Sequence, residues 1–599
     1  MKRTRLIAGF LTAFLGTALI LVVQGCGSGR EVTTNPKQTT ASATRPAFSV
    51  VEKTIPELQK SLADGQVTSY ELVEQYLARI GMYEDKLHAA ITVNPRALEE
   101  AEQSDRLRAE GHVRGPLEGI PIALKDNILT TEMPTSGGAL AFDGYTPPYE
   151  ATLVKNLHRA GAIIIAKTGM SELANWVAGF PTPMPGDYNA VGGQGYNPYD
   201  PRMDPRFATI DRRPVLSPAG SSSGIGTAAN LWAANIGTET SGSILGPSNA
   251  TMLAAIKPTV GRVSRWGVIP ITEDQDTAGP MAKSVAGAAI LLGVLESGNP
   301  DPKDPATSRC TPPPHDDYTA YLKRDGLKGA RIGIPRAFYY DPVTPPGQSK
   351  PMGGLDPARA KVMADAIAVL KQQGAIIVDP ANIPSIVTRD AQTNFLLWPM
   401  CSGANHAKGH DQHCTIVLKY GMKRDFNKWL KTLGPTAPVK TLTQLREWNL
   451  AHRKAGAINY GQSELDISDQ MDLVRDRARY EADRARDIAM GGADGIDAVV
   501  KEYKLDAILF PGASGAGIAA RPGYPTVIVP FGMVPNTGTP PFGAPAGVKL
   551  QPFPPGFDPK PAPFGVSFTG PACSEPKLIE LAYAFEQATK RRVPPPGAP

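Results

Sequence analysis

The chain has 599 residues, of which 42% are hydrophobic and 20% charged, an ordinary composition for a globular protein. Its formal net charge is +5, and Lys2, Arg3 and Arg5 of the N-terminal leader supply three of these charges. The remaining +2 is too small to indicate a nucleic-acid partner. The length would allow several domains, although α/β enzymes with a single core also reach this size.

The N-terminus is typical of an exported lipoprotein. The basic start MKRTR precedes an apolar run over residues 6–23, and the tetrapeptide VQGC that ends at Cys26 resembles a bacterial lipobox. We therefore predict a lipoprotein signal peptide over residues 1–25 and a lipidated flexible tether over residues 26–50. The folded part would lie in the cell envelope, periplasmic or at the outer surface, with lipid on Cys26 as its membrane anchor. An uncleaved anchor is the alternative, because 18 apolar residues reach the lower limit for crossing a bilayer.

The first part of the folded region alternates between helix and strand signals. Thr54 and Thr68 each begin a capping box at the start of a predicted helix. AAITVNP, GPLEGIPIALKDNI and the end of ATLVKNLHRAGAIIIAKTG predict strands, and the second of these carries Lys125. The alternation predicts an α/β fold whose sheet is covered by helices on both faces. Residues 177–219, rich in Gly, Pro, Asp and Asn, predict a long irregular segment.

The later part of the chain predicts a helical region between further strands. GLKGARIGIPR, LDAILFPG and YPTVIVPFG predict buried strands, and residues 355–500 approximately predict a polar helical insert. A Pro-rich loop follows over about residues 536–564, and Ser574 precedes a final helix. Because no boundary is evident after residue 50, residues 51–599 are predicted to form a single domain.

Five cysteines are present, and four remain if Cys26 carries lipid. In an oxidising compartment an even number allows two disulfides, with three possible connectivities. Cys401 and Cys414, which are close in sequence, form the pair we predict first; four buried free thiols are the alternative. Three histidines between them could suggest a metal site, but no flanking motif supports one, so no metal is predicted. The other two cysteines are Cys310 and Cys573, and the three histidines are His406, His410 and His413.

One lysine and a group of serines indicate the chemistry. Lys125 ends the apolar run in GIPIALKDN, and SPAGSSSGIGTAANLWAANIGTETSGSILGPS contains Ser221, Ser222, Ser223 and Ser243 but no histidine. A lysine can activate a serine if burial keeps its amine neutral. The pattern therefore predicts a hydrolase whose base is an amine.

These segments resemble those of the amidase signature family. The likeness lies in GIPIALKDN, PAGSSSG, GTETSGSILGPS, IKPTVGRVS and QDTAGPM, and it runs through most of residues 54–592 outside the inserted loops. The resemblance implies that the predicted domain is catalytic and is built on a large, mixed, twisted central β-sheet. It also implies an amidohydrolase that cleaves a small-molecule or peptide amide without cofactor or metal.

Carried over to this sequence, the resemblance implies a Ser-cisSer-Lys triad. Ser243 would be the nucleophile that forms an acyl-enzyme, Ser221 the bridging serine on a cis peptide, and Lys125 the base. The backbone N–H groups of the turn that ends at Ser243 would form the oxyanion hole. That turn consists of Thr240, Ser241, Gly242 and Ser243.

Two features depart from the family's pattern. Ser221 and Ser243 are 22 positions apart, slightly fewer than is usual, and the shortening falls in a predicted helix over GIGTAANLWAAN. This leaves the choice between Ser221 and Ser222 open. The segment DPRFATIDRRPVL looks inserted beside the active site.

Three alternatives remain. Residues 220–224 also fit G-x-S-x-G, the nucleophile elbow of α/β-hydrolases, but Pro214 and Pro218 interrupt the strand that the motif requires. Within the family, an amidotransferase A-type subunit would act on glutamyl-tRNA, which export argues against. A non-catalytic binding lipoprotein on the same fold is disfavoured, because all three residues of the triad are present.

Overall fold

A computed structural model describes residues 48–219, 224–296, 298–537 and 551–598. The predicted signal peptide, Cys26, most of the tether and Ser221 lie outside these residues. From Phe48 onward the chain forms one compact unit. Within the described ranges, no helix combines the length and apolar character needed to span a bilayer.

A mixed β-sheet forms the centre of the molecule. The strands are β1 (Ala90–Val93), β2 (Pro121–Lys125), β3 (Ile163–Thr168), β4 (Tyr188–Asn189), β5 (Gly193–Gln194), β6 (Ala234–Glu239), β7 (Ala254–Lys257), β8 (Thr277–Ala282), β9 (Arg331–Gly333), β10 (Ile376–Val378), β11 (Ala507–Pro511), β12 (Thr526–Val534) and β13 (Ala562–Thr569). In the described part of the chain, eleven of them form one sheet in the order β1-β3-β2-β6-β8-β7-β12-β13-β11-β9-β10. Strands β3, β2 and β6 are parallel, as are β11, β9 and β10, and the other pairs are antiparallel. The predicted α/β class and mixed sheet are confirmed.

Helices cover the sheet. Every residue of β2, β3 and β6 is buried, and because successive strand residues point to opposite faces, both faces are covered there. This explains why these strands read as continuous apolar runs. The helices are α1 (Ile55–Ala63), α2 (Ser69–Leu87), α3 (Ala97–Ala109), α4 (Thr152–Arg159), α5 (Ile225–Ala228), α6 (Leu245–Ala250), α7 (Val285–Glu296), α8 (Arg336–Tyr339), α9 (Pro357–Gln372), α10 (Pro384–Val387), α11 (Val417–Thr432), α12 (Leu442–Ala451), α13 (Ser463–Asp469), α14 (Arg477–Gly491), α15 (Asp497–Tyr503), α16 (Ala516–Ala520) and α17 (Glu575–Thr589).

The predicted helix over GIGTAANLWAAN is much shorter in the structure. Helix α5 ends at Ala228, Asn230 adopts a left-handed conformation with a φ of 58°, and β6 begins at Ala234. There Ala234 pairs with Ile122 of the buried strand β2. Pairing in the sheet thus overrides the helical propensity of this Ala- and Leu-containing segment.

The region predicted as a helical insert also contributes to the sheet. Strand β10 lies within it and pairs in parallel with β9 at the sheet edge. The polar helices α11 to α14 follow after β10. The region therefore begins with helix α9, joins the central sheet through β10, and is helical again mainly in its second half.

Candidate active site

Two parallel strands bring the lysine and the serine-bearing turn to one edge of the sheet. Strands β2 and β6 are hydrogen-bonded neighbours, with Leu124 aligned to Ile236. Lys125 is the last residue of β2, and the turn that ends at Ser243 follows β6 directly. Because parallel strands end at the same edge, Lys125 and this turn lie on the same side of the molecule.

The Lys125 side chain is fully buried, and its amine is hydrogen-bonded to one threonine. The Nζ atom donates to the Thr238 hydroxyl at 2.7 Å and to the Thr238 carbonyl oxygen at 3.1 Å. Burial lowers the pKa of Lys125 to about 7, although Asp276, Glu239 and Asp187 act in the opposite direction. A neutral amine has two N–H groups and one lone pair. With both N–H groups donated to Thr238, the lone pair is left to accept a proton from a hydroxyl.

Thr238 and Asn127 are two site residues that no motif in the sequence indicated. The Asn127 side-chain amide donates to the Thr238 hydroxyl at 3.0 Å and to the Ile269 carbonyl oxygen at 3.3 Å. Asn127 thereby fixes the hydroxyl that accepts the hydrogen bond from Lys125. In the sequence, only closeness to the predicted site points to these residues. Asn127 follows Lys125 by two residues, and Thr238 precedes the serine-bearing turn by two.

A buried glutamate supports the turn from its downstream side. Glu239 Oε2 accepts from the backbone N–H groups of Ile244 at 2.7 Å and Leu245 at 2.9 Å. Gly242 has a φ of 110°, a conformation that L side chains rarely adopt, so glycine is required there. Ser243 is half-buried. The turn is thus a supported backbone loop with consecutive N–H groups, as an oxyanion hole requires.

The stretch that contains Ser221 is bounded by described residues close to this turn. A Cβ atom built on Gly246 of α6 would lie 3.0 Å from the Ala219 carbonyl oxygen. On the other side, a Cβ atom built on Gly224 would lie 2.5 Å from the Thr251 hydroxyl. Both flanks of residues 220–223 therefore contact the region of α6. The predicted roles of Ser221 and Ser222, and the cis peptide, fall outside the described residues.

A second buried lysine lies beside the first. Lys167 Nζ is 3.3 Å from Asp126 Oδ1 and donates to the Thr135 hydroxyl at 2.6 Å. Asp126 Oδ2 accepts from the Ser136 backbone N–H at 3.0 Å and from its hydroxyl at 2.5 Å. This network fixes the loop that begins immediately after Lys125.

The cysteines form two disulfides. Cys401 is joined to Cys414, and Cys310 is joined to Cys573 over a separation of 263 residues. The histidines near the first disulfide do not converge, since no group of three or more metal-binding side chains occurs among the residues that the structure describes.

The inserted segment is tied to two other parts of the chain. The guanidinium of Arg206 lies 3.9 Å from the centre of the Phe553 ring, in the Pro-rich loop. The Tyr460 hydroxyl donates to Asp211 Oδ2 at 3.0 Å and so joins the segment to the helical region. The segment is therefore held at two points, Arg206 and Asp211, while residues 208–210 between them are exposed.

Comparison with known proteins gives consistent matches along the chain. The Amidase family model matches residues 71–579. A probable amidase from Arabidopsis thaliana is 32% identical over 557 residues, which cover 92% of each chain. The A-type subunit of the glutamyl-tRNA(Gln) amidotransferase from Chloroflexus aurantiacus is 36% identical over 59% of this chain and 65% of its own length. Among solved structures, native peptide amidase from Stenotrophomonas maltophilia is 34% identical with a TM-score of 0.73, covering 92% of this chain and 99% of that one.

Proposed function

This chain belongs to the amidase family and is an amide hydrolase, and from that premise we propose that it works through a Ser-cisSer-Lys triad. Ser243 is the nucleophile, Ser221 the relay and Lys125 the base. One observation carries the proposal: Lys125 is fully buried, its pKa is lowered to about 7, and both of its amine protons are donated to Thr238. A lysine in this state can take a proton at neutral pH.

The reaction proceeds through an acyl-enzyme. The Ser243 oxygen adds to the amide carbonyl carbon while its proton passes to the Ser221 hydroxyl, whose own proton passes to the Lys125 lone pair. The C–N bond then breaks as Ser221 gives its proton to the leaving nitrogen and takes a proton back from Lys125, which becomes neutral again. Water next cleaves the ester, releases the carboxylate and restores Ser243. Backbone N–H groups of the turn 240–243 stabilise the oxyanion in both steps, and each such donor contributes about 2.7–4 kcal/mol.

The substrate we propose is a peptide or small-molecule carboxamide met outside the cytoplasm. Two observations support it, the similarity to a peptide amidase over nearly the whole chain and the lipoprotein-like leader. An amidotransferase A-type subunit is the second candidate, favoured by the 36% identity over part of the chain. Export away from tRNA argues against that activity.

A serine-reactive fluorophosphonate probe tests the nucleophile. We expect the wild-type chain to be labelled and Ser243→Ala to remain unlabelled. Ser241→Ala, a serine two residues away in the same turn, is the matched control and should still be labelled. Labelling that survives Ser243→Ala would overturn the assignment. Hydrolysis of a panel of peptide amides, anilides and esters then identifies the substrate, and activity only with glutamine and charged tRNA would favour the amidotransferase.

The location is a separate part of the proposal. We propose that the chain is an exported lipoprotein of the cell envelope, anchored through lipid on Cys26. Metabolic labelling with radioactive palmitate should mark the wild-type chain but not Cys26→Ser. Equal labelling of both would contradict the anchor without affecting the proposed chemistry.

A further inference from the structure

The catalytic turn, residues 240–243, is held in place by the segment that leads into β8. Strands β6 and β8 are antiparallel, and Glu239 is aligned with Thr277. The next residues beyond this pair, Thr240 and Asp276, therefore face each other. Asp276 Oδ1 accepts from the Thr240 hydroxyl at 2.5 Å, and the Gln275 side-chain amide donates to the Thr240 carbonyl oxygen at 3.2 Å. The first residue of the turn is thus held by both its side chain and its backbone.

The other oxygen of Asp276 is bonded to a second loop. Asp276 Oδ2 accepts from the backbone N–H groups of Ile271 at 2.8 Å and Thr272 at 3.0 Å. A single buried carboxylate therefore joins the catalytic turn to the loop 271–276. Glu239 has the corresponding role on the downstream side of the turn, so the turn lies between two carboxylates.

The loop 271–276 is itself fixed by the helical region. The Glu273 backbone N–H donates to Asp425 Oδ2 at 2.8 Å, and Arg424 forms an ion pair of 3.0 Å with Asp274. Both partners lie on α11. The position of the catalytic turn therefore depends on helix α11 through Asp276.

We propose that Asp276 is a positioning residue for the reaction, which holds the Thr240–Ser243 turn in its productive shape. The proposal rests on the proposed function and goes beyond it, because Asp276 acts on the reaction through the turn and the base. Misplacement of reacting groups by about 1 Å can cost about 100-fold in rate. Loss of the contact between Asp276 and Thr240 should therefore lower kcat more than it changes KM.

The charge of Asp276 gives the proposal a second readout. Among the carboxylates that raise the pKa of Lys125 against the effect of burial, Asp276 has the largest effect. Burial also raises the pKa of Asp276 itself, to about 7. The base must be neutral to act, so activity rises with pH through the Lys125 pKa. Near pH 7 Asp276 is only partly ionised, so removing its remaining negative charge should move this acid limb modestly to lower pH.

Most of the other charged groups around Asp276 form ion pairs with groups of opposite charge. Asp276 also lines a cavity of about 430 Å³. In its walls Arg265 pairs with Asp304, Arg424 with Asp274 and Asp425, and Lys428 with Glu273, while Lys303 lies over the Trp266 ring. On the side of the site, Glu239 and Asp187 also act on Lys125. A change at Asp276 alone leaves these pairs intact.

The test uses four variants of the full chain. Asp276→Asn removes the charge and keeps the shape. Thr240→Val removes the hydroxyl, and Thr240→Ser retains it. Asp365→Asn, at an exposed aspartate of α9 paired with Lys361, is the matched control. For each variant kcat, KM, the pH profile of kcat/KM and the melting temperature are measured on one amide.

We expect Thr240→Val to lower kcat by about 10- to 100-fold with little change in KM. Thr240→Ser should retain most of the activity, and Asp276→Asn should move the acid limb to lower pH. Wild-type kcat in Thr240→Val together with an unshifted acid limb in Asp276→Asn would overturn the inference. If Asp276→Asn does not fold, the comparison of Thr240→Val with Thr240→Ser decides.

Failure of the proposed function gives a different result. A wild-type chain that hydrolyses no amide and is not labelled at Ser243 would remove the reaction and this inference with it. A wild-type chain that is active and labelled, with active Thr240→Val and an unshifted Asp276→Asn, would remove only the role of Asp276.

Discussion

Two buried lysines on adjacent strands have different surroundings. Strands β2 and β3 are parallel, with Leu124 aligned to Lys167 and Lys125 aligned to Thr168. Both lysine side chains are fully buried. Lys167 lies 3.3 Å from the Asp126 carboxylate, whereas Lys125 donates to the two oxygens of Thr238. Among the described residues no carboxylate forms an ion pair with Lys125.

The comparison shows that burial alone does not produce a base. Burial lowers the pKa of both lysines and carboxylates oppose that effect at both, but among the described residues only Lys167 forms an ion pair with such a carboxylate, Asp126. Lys167 with Asp126 is therefore a structural ion pair. Lys125, bonded to the neutral oxygens of Thr238, loses its proton near neutral pH. The partner of the lysine determines whether it stabilises the fold or supports catalysis.

Replacing each lysine by methionine should separate these roles most clearly. We expect Lys125→Met to lower kcat by about 10²–10⁴-fold, because the general base is removed. Its melting temperature should not fall, since no buried carboxylate among the described residues loses an ion-pair partner. Amide hydrolysis and thermal unfolding measure the two quantities, and an active Lys125→Met would end the assignment of the base.

The corresponding change at Lys167 should act on stability. Lys167→Met leaves Asp126 buried without its cation, and breaking such a pair costs about 3–5 kcal/mol in the free energy of unfolding. Denaturation in urea measures this cost. Lys361→Met, at an exposed lysine paired with Asp365, is the matched control and should change stability by less than about 1 kcal/mol. Equal stability of Lys167→Met and wild type would contradict the structural role.

The pH dependence of stability gives a smaller and more specific test. The pKa of Lys125 is about 7 in the folded chain against an ordinary value of 10.5, so between these values the unfolded chain binds more protons. Stability from this group therefore rises with pH across that window, and its unfavourable contribution is complete below pH 7. Lys125→Met lacks this contribution. We expect its stability advantage over wild type, a few kcal/mol at most, to shrink as pH rises from about 7 to 10.

The difference in stability between Lys125→Met and wild type, measured as a function of pH, isolates the contribution of Lys125. Lys257 and Lys283 also have pKa values lowered by burial, to about 8 and about 7. Both residues are present in each chain, so their contributions cancel in the difference. A difference that stays constant with pH would mean that the Lys125 pKa is not lowered.

The sequence by itself determined the fold class and the elements that carry the site. A continuous apolar run ending in Lys125 predicted a buried strand, because a strand covered on both faces has no polar side. The turn that ends at Ser243 was identified from its own residues, through their resemblance to the amidase signature family. Both are local properties, and the α/β class with its mixed sheet is confirmed.

The tertiary structure decided which residues meet. Ala234 joins a strand rather than a helix because β2 offers it a hydrogen-bonded neighbour. Thr238 becomes the partner of Lys125, and Asp276 becomes the partner of Thr240, through strand register. These contacts join residues 36 to 113 positions apart. No local pattern of hydrophobicity or propensity encodes a register between distant strands, so folding alone brings these side chains together.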